Sequence, residues 1–183
     1  MSSHDQEFFI ITGGPGSGKS TLLDRLERDG FARSAEAGRG IIQDQVAVGG
    51  SALPWHDRAL FAELMLSWEM RSHRLATQHA VIGPVLFDRG VPDIIGYLRV
   101  EELPIPGHMY RAVEQFRYNT RVFIAPPWPE IYRQDTERKQ NLETARRTYE
   151  AMATVYSELG YQLVELPRSS IEDRADFVRS RIG

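Results

Sequence analysis

The chain has 183 residues, a formal net charge of -3, 42% apolar and 26% charged residues, and no cysteine. That size fits one globular domain, residues 1–183, with a core of its own; the slightly acidic balance provides no basic field for nucleic acid or an anionic membrane. Without cysteine there is neither a disulfide framework nor a thiolate metal site, and no run reaches the roughly 18 apolar residues a membrane span needs, so a cytoplasmic protein, monomer or homodimer, is expected.

Residues 8–12 are a short apolar run ending in glycines, as expected of a buried parallel strand that delivers a loop at its carboxyl end. From Lys19, Leu22, Leu23 and Leu26 recur at helical spacing until Asp29 and Gly30, where glycine offers a stop. A second strand is expected over 31–35. Over 57–78, Phe61, Leu64, Trp68 and Leu75 fall at steps near multiples of 3.6, predicting a long helix packed on the sheet. Residues 84–88, 121–125 and 161–166 supply three more strands. Between the last two, Leu142, Ala145, Tyr149, Met152, Tyr156 and Leu159 mark a helix, and 171–182 reads as a closing one. Strands alternating with helices imply an α/β fold with a mainly parallel sheet, helices on both faces, and ligands beyond the carboxyl ends of the strands. Residues 49–54 and 126–139 are the expected mobile pieces.

Gly13-Gly14-Pro15-Gly16-Ser17-Gly18-Lys19-Ser20 fits G-x-x-x-x-G-K-[ST] between an apolar strand and an amphipathic helix, the context that motif requires. Such a loop points successive backbone N–H groups at phosphate oxygens, and the following helix adds the positive end of its dipole. Lys19 is expected at the β- and γ-phosphates of ATP, Ser20 at Mg2+, and Thr21 at the α-phosphate.

Asp88, ending the third strand, stands where a carboxylate holds Mg2+ directly or through water. Its neighbour Arg89 cannot act as a base, which argues against a hydrolysis motor; it either holds an acceptor or phosphoryl group or forms a surface ion pair. After the second strand, Glu36 is a candidate base for an acceptor hydroxyl, with Arg39 fixing that carboxylate or the substrate. Alternatively, Glu36 caps the helix containing Ile41 and Ile42. Arg133, Asp135, Arg138 and Lys139 follow Pro126-Pro127-Trp128-Pro129 and suit a helical lid over about 126–140 that closes on the phosphates, or else a solvated helix face. Arg146 and Arg147 read as solvent-facing. Arg168, after the fifth strand, sits where an adenine could lie, and Asp93 is an alternative acid on the acceptor side.

On these residues, from the Gly13–Thr21 stretch through Glu36 to Arg39, Asp88-Arg89-Gly90 and the 132–139 segment, the chain resembles the P-loop nucleoside and nucleotide kinases. More narrowly, it is similar to the AAA-domain ATPase family that includes the ribosylnicotinamide kinase domain of NadR. The resemblance implies a three-layer P-loop NTPase fold with five parallel strands in the order 2-3-1-4-5, and a base at Glu36 beside an acid-arginine pair at Asp88 and Arg89. The function expected is γ-phosphoryl transfer from Mg-ATP to a hydroxyl of a small nucleoside-like acceptor. The alternatives are a nucleoside monophosphate kinase and an ATP- or GTP-dependent switch, the GTP version lacking any Asn-Lys-x-Asp guanine-reading motif.

Overall fold

β1 (Phe8–Gly13) is buried at every position, because a central parallel strand is covered on both faces and must be apolar throughout. In the computed structural model, which describes residues 7–79, 83–132 and 142–182, it is joined by β2 (Ala32–Ser34), β3 (Val85–Asp88), β4 (Arg121–Ala125) and β5 (Gln162–Glu165). The order is β2-β3-β1-β4-β5 and every pair is parallel. Register sets Ile11 beside Asp88 and Gly13 beside Ala125, so the ends of β1, β3 and β4 open on one edge.

Successive side chains of β1 feed opposite layers. Phe9 and Ile11 pack with Leu22, Leu23 and Leu26 of α1 (Lys19–Arg28) and with Ala175 and Val178 of α8 (Ile171–Ile182). Phe8 and Ile10 face the larger layer, built from α3 (Arg58–His79), α4 (Val91–Val100), α5 (Gly107–Gln115) and α7 (Leu142–Glu158). Two further helices, α2 (Ala37–Val48) and the short α6 (Pro129–Tyr132), precede α3 and α7. The three layers and the strand order agree with expectation. Among the described residues no helix is long and apolar enough to cross a membrane.

Three features depart from the sequence reading. In α3 the predicted Phe61, Leu64 and Trp68 pack with Ala37 and Ile41 of α2, but a second buried row, Ala62, Leu66, Glu69, His73 and Ala76, runs beside them, and Leu75 is 40% exposed. α4 escapes a periodicity search because it is buried nearly all round and so has no polar face to mark it. Gly96 within it lies where an added Cβ would meet the Met152 sulfur of α7, which lets α4 and α7 approach closely. The 49–54 segment, expected to be mobile, is anchored: Gly49 ends α2 at φ 69, Gln45 accepts the Ala52 N–H at 3.1 Å, and Ala52 and Leu53 are buried. Arg146 and Arg147 are exposed, as expected. Arg133, Asp135, Arg138 and Lys139 lie outside the described residues.

Candidate nucleotide and acceptor site

The loop after β1 can turn because Gly13 takes φ 127 and Gly18 takes φ 74, both in the region where a Cβ would clash. Gly18 sits at the N-cap of α1, and no side chain caps that end, so its first N–H groups point into the loop and form an anion site with the helix dipole. Lys19 Nζ donates to the carbonyls of Gly13 at 3.1 Å and Gly14 at 2.6 Å and to Ser17 Oγ at 3.3 Å. Burial lowers the Lys19 ammonium to about 7, with Arg89 adding to the effect and Asp88, Glu36 and Asp93 opposing it.

A cavity of about 450 Å³ opens beside this loop, lined by residues 16–21 on one side and by Trp128, residues 169–171 and Arg174 on the other. Ser20 is partly buried and Thr21 exposed. Gly14 and Pro15 are outside the lining, Gly14 packing so closely on the Ala145 backbone that a Cβ there would overlap it. Arg174 is 2% exposed; its Nη2 donates to the Ser17 carbonyl at 3.2 Å, its guanidinium lies 5.6 Å from the Trp128 ring centroid, and its Nε is buried without a partner, as is Ser169 Oγ. Arg168 is exposed and donates to the Pro127 carbonyl at 3.2 Å, outside the cavity lining. Sequence reasoning passed over Arg174, yet it stands with Ile171, Ala175 and Val178 on the inward stripe of α8, and a charge on an apolar stripe is a readable signal.

On the other side of Lys19, β3 ends at Asp88, 3% exposed and paired to Arg33 Nη2 at 3.3 Å. Burial pushes the Asp88 carboxyl up, Glu36 reinforces this, and Lys19, Arg89 and Arg33 pull it down. Arg89 follows at φ 73, a left-handed conformation that costs a non-glycine residue about 1 kcal/mol and aims its side chain into the crevice. Its Nε donates to Glu36 Oε1 at 3.2 Å and its Nη1 to Asp93 Oδ1 at 3.1 Å. The surrounding carboxylates hold Arg89 charged despite its burial.

Asp93 is fully engaged. Oδ1 also accepts from Thr12 Oγ1 at 2.5 Å, and Oδ2 accepts from the Gly90 N–H at 3.0 Å and the Tyr156 hydroxyl at 2.5 Å. A carboxylate so occupied orients Arg89 rather than receiving a proton from elsewhere. Glu36 precedes α2 at the N-cap but makes no side-chain capping bond; its carboxylate reaches Arg89 instead. Arg39 is exposed and has no hydrogen bond or ion pair among the described residues, so the arginine that fixes Glu36 is Arg89. The structure thus brings Lys19, Glu36, Asp88, Arg89 and Asp93 together and leaves Arg39 and Arg168 at the rim.

Hard oxygen donors at Ser20 and Asp88 suit Mg2+, which takes one or two protein oxygens and completes its shell from phosphates and water. Among the described residues no group of three or more His, Cys, Asp or Glu side chains forms a cation site. Asp88→Asn is expected to raise the Mg2+ concentration needed for half-maximal activity several-fold, because an amide is a poorer ligand for a hard cation; an unchanged Mg2+ titration would place Asp88 outside the metal shell.

Residues 8–174 match the family described as AAA domain. Among solved structures, the NadR protein in complex with NR is similar, with a TM-score of 0.74 at 18% identity over 98% of this chain and 52% of that one. The chain therefore spans about half the length of that protein. Deoxyadenosine kinase from M. mycoides is also similar, with dCMP and dCDP bound (TM-score 0.62, 12% identity, 95% of this chain and 97% of that one) and with dATP bound (TM-score 0.58, 12% identity, 96% and 98%). No curated protein matches the chain by sequence.

Proposed function

The chain belongs to the AAA domain family, and from that premise we propose that it is a kinase of one P-loop domain that transfers the γ-phosphoryl of Mg-ATP to a hydroxyl of a small nucleoside-like acceptor. The observation that carries the reading is the Glu36–Arg89 pair at 3.2 Å: a carboxylate free of helix capping, held at the strand ends beside Lys19 and Asp88. A nucleotide phosphate is already anionic and needs no base, whereas a hydroxyl gains from one that takes its proton as the oxygen attacks. The similarity to kinases that act on nucleosides supports the same class of acceptor.

In this reading the loop N–H groups and Lys19 offset the charge of the β- and γ-phosphates, and Ser20 and Asp88 hold Mg2+. The metal supplies electrostatic stabilisation of the transferring group. Glu36 accepts the acceptor's proton, the new O–P bond forms as the bond to ADP breaks, and Arg89, steadied by Asp93, meets the developing charge. The nucleotide base occupies the cavity between Trp128 and residues 169–171. A chain without cysteine suits the reducing cytoplasm.

For the donor site, Arg174→Met is expected to weaken ATP binding roughly 3- to 30-fold through loss of the Ser17 tether and the Trp128 stack, read by titration calorimetry. An unchanged dissociation constant would move the base elsewhere. For the function itself, the decisive experiment is a screen of Mg-ATP turnover with nucleosides, nucleoside monophosphates and sugars. A phosphorylated hydroxyl product supports the reading. Transfer only to monophosphates, or hydrolysis indifferent to every acceptor, would replace it with a nucleotide kinase or a switch.

A further inference from the structure

Tyr156 of α7 is fully enclosed in the larger core layer, where a phenylalanine would bury the same ring with no hydroxyl to satisfy. Its hydroxyl donates to Asp93 Oδ2 at 2.5 Å. Thr12 of β1, equally enclosed, donates to Asp93 Oδ1 at 2.5 Å, and both distances lie in the range of charge-assisted O–H···O⁻ bonds. Burial, reinforced by Asp93, pushes the Tyr156 phenol well above its ordinary range, so it remains a donor at working pH. Each oxygen of Asp93 is therefore held by one core hydroxyl. The same two oxygens accept from Arg89 Nη1 at 3.1 Å and from the Gly90 N–H at 3.0 Å. Arg89 has a left-handed backbone, φ 73, and its other contact is Nε to Glu36 at 3.2 Å. A long side chain on a strained residue is fixed only as well as the groups it bonds.

We infer that the hydroxyls of Tyr156 and Thr12 are positioning groups for phosphoryl transfer: by clamping the Asp93 carboxylate they hold Arg89 on Asp93 and Glu36 together before the substrates arrive. Both act through Arg89 and touch neither substrate. A charge set in place beforehand needs no reorganisation as the transition state forms. Helix α7 is keyed to the donor side as well. A Cβ at Gly14 would overlap the Ala145 carbonyl, and the Gly14 carbonyl accepts from Lys19. Ala145 and Tyr156 lie on one helix, roughly 16 Å apart by its rise, and Gly96 lets α4 close on Met152 between them. One rigid element thus sets the phosphate loop and the acceptor-side arginine relative to each other.

This role rests on the kinase reading above, and the test separates the two. Transfer from Mg-ATP to adenosine, cytidine and ribosylnicotinamide is measured for the wild type, Tyr156→Phe, Thr12→Val, Thr12→Ser, Arg89→Gln and the double variant Arg89→Gln with Tyr156→Phe; titration calorimetry follows Mg-ATP binding. On the preferred acceptor, Tyr156→Phe and Thr12→Val should each lower kcat roughly 5- to 50-fold, as expected for loss of a buried bond to a carboxylate, with acceptor KM and the Mg-ATP dissociation constant within about threefold. Thr12→Ser, which keeps the hydroxyl, should stay within about threefold of the wild type. In the Arg89→Gln background, Tyr156→Phe should cost less than about twofold, because its route to the reaction is already gone. An unchanged kcat in Tyr156→Phe, an equal fall in the Arg89→Gln background, or a rise in KM and in the Mg-ATP dissociation constant that accounts for the loss overturns the inference and leaves the kinase reading standing. Should Tyr156→Phe fail to fold, Thr12→Val against Thr12→Ser decides: equal rates overturn the inference. If the wild type phosphorylates none of the three acceptors, the hydroxyl-kinase reading falls, and this inference with it.

Discussion

Lys19→Ala should yield a folded protein whose phosphoryl transfer is lowered by at least about 10²- to 10³-fold, the scale of removing one preorganised charge from the transferring group. The ammonium donates to the carbonyls of Gly13 and Gly14, so its position is fixed by the loop it serves. Stability should not fall. The folded state lowers the Lys19 ammonium to about 7, chiefly because burial disfavours the charge; truncation therefore removes a desolvation cost. The measurements are acceptor-dependent turnover at saturating Mg-ATP and a thermal melt. A well-folded variant with wild-type turnover would sink the assignment of the loop as the phosphate site.

The second large effect is expected at Glu36. Glu36→Gln should bind Mg-ATP as the wild type does and lose on the order of 10²- to 10⁴-fold in transfer, the range for removal of a general base. A structural role predicts something different: loss of a helix cap costs about 1 kcal/mol of stability with little kinetic consequence. Geometry separates the two in advance, because the Glu36 side chain makes no capping bond to α2 and is drawn to Arg89. A glutamine can still accept from the Arg89 Nε, so the variant removes the charge and proton affinity while keeping the contact. The experiment must follow transfer to the acceptor, since background hydrolysis by water does not require this base. Transfer at the wild-type rate would leave Glu36 as a positioning group for Arg89.

The sequence carries the phosphate site almost completely. Gly13 to Thr21 are contiguous, and a loop built from consecutive backbone groups is written in consecutive residues. Strands β1, β3 and β4 are legible for the same reason, each being a short run buried at nearly every position, whereas the edge strands β2 and β5 are only partly buried. The order of the sheet and the pairing of Glu36 with an acid-arginine motif came with the resemblance, and both agree with the structure. What could not be read is how charges distant in the chain are distributed among partners. Glu36 lies three residues from Arg39 but is held by Arg89, 53 positions away, because parallel register brings the ends of β2 and β3 together while α2 carries Arg39 outward to solvent.

Helix α4 shows the limit of periodicity. Val91–Val100 is enclosed by α3, α5 and α7, so nothing in its pattern separates one face from another, and Pro92 and Gly96 look like breakers until their places at the first turn and against Met152 are seen. The same holds for Asp93, which reads as an open acid and is in fact saturated by Thr12, Arg89, Gly90 and Tyr156. The amino-acid sequence by itself determined the phosphate loop, the strand-helix alternation and the types of residue available for catalysis, since each of these depends on neighbours in the chain. Only the tertiary structure decided which face of α3 is buried, which acids are already spent on hydrogen bonds, and that Ser169 Oγ and Arg174 Nε are buried without a partner, because hydrogen bonding and desolvation depend on neighbours in space.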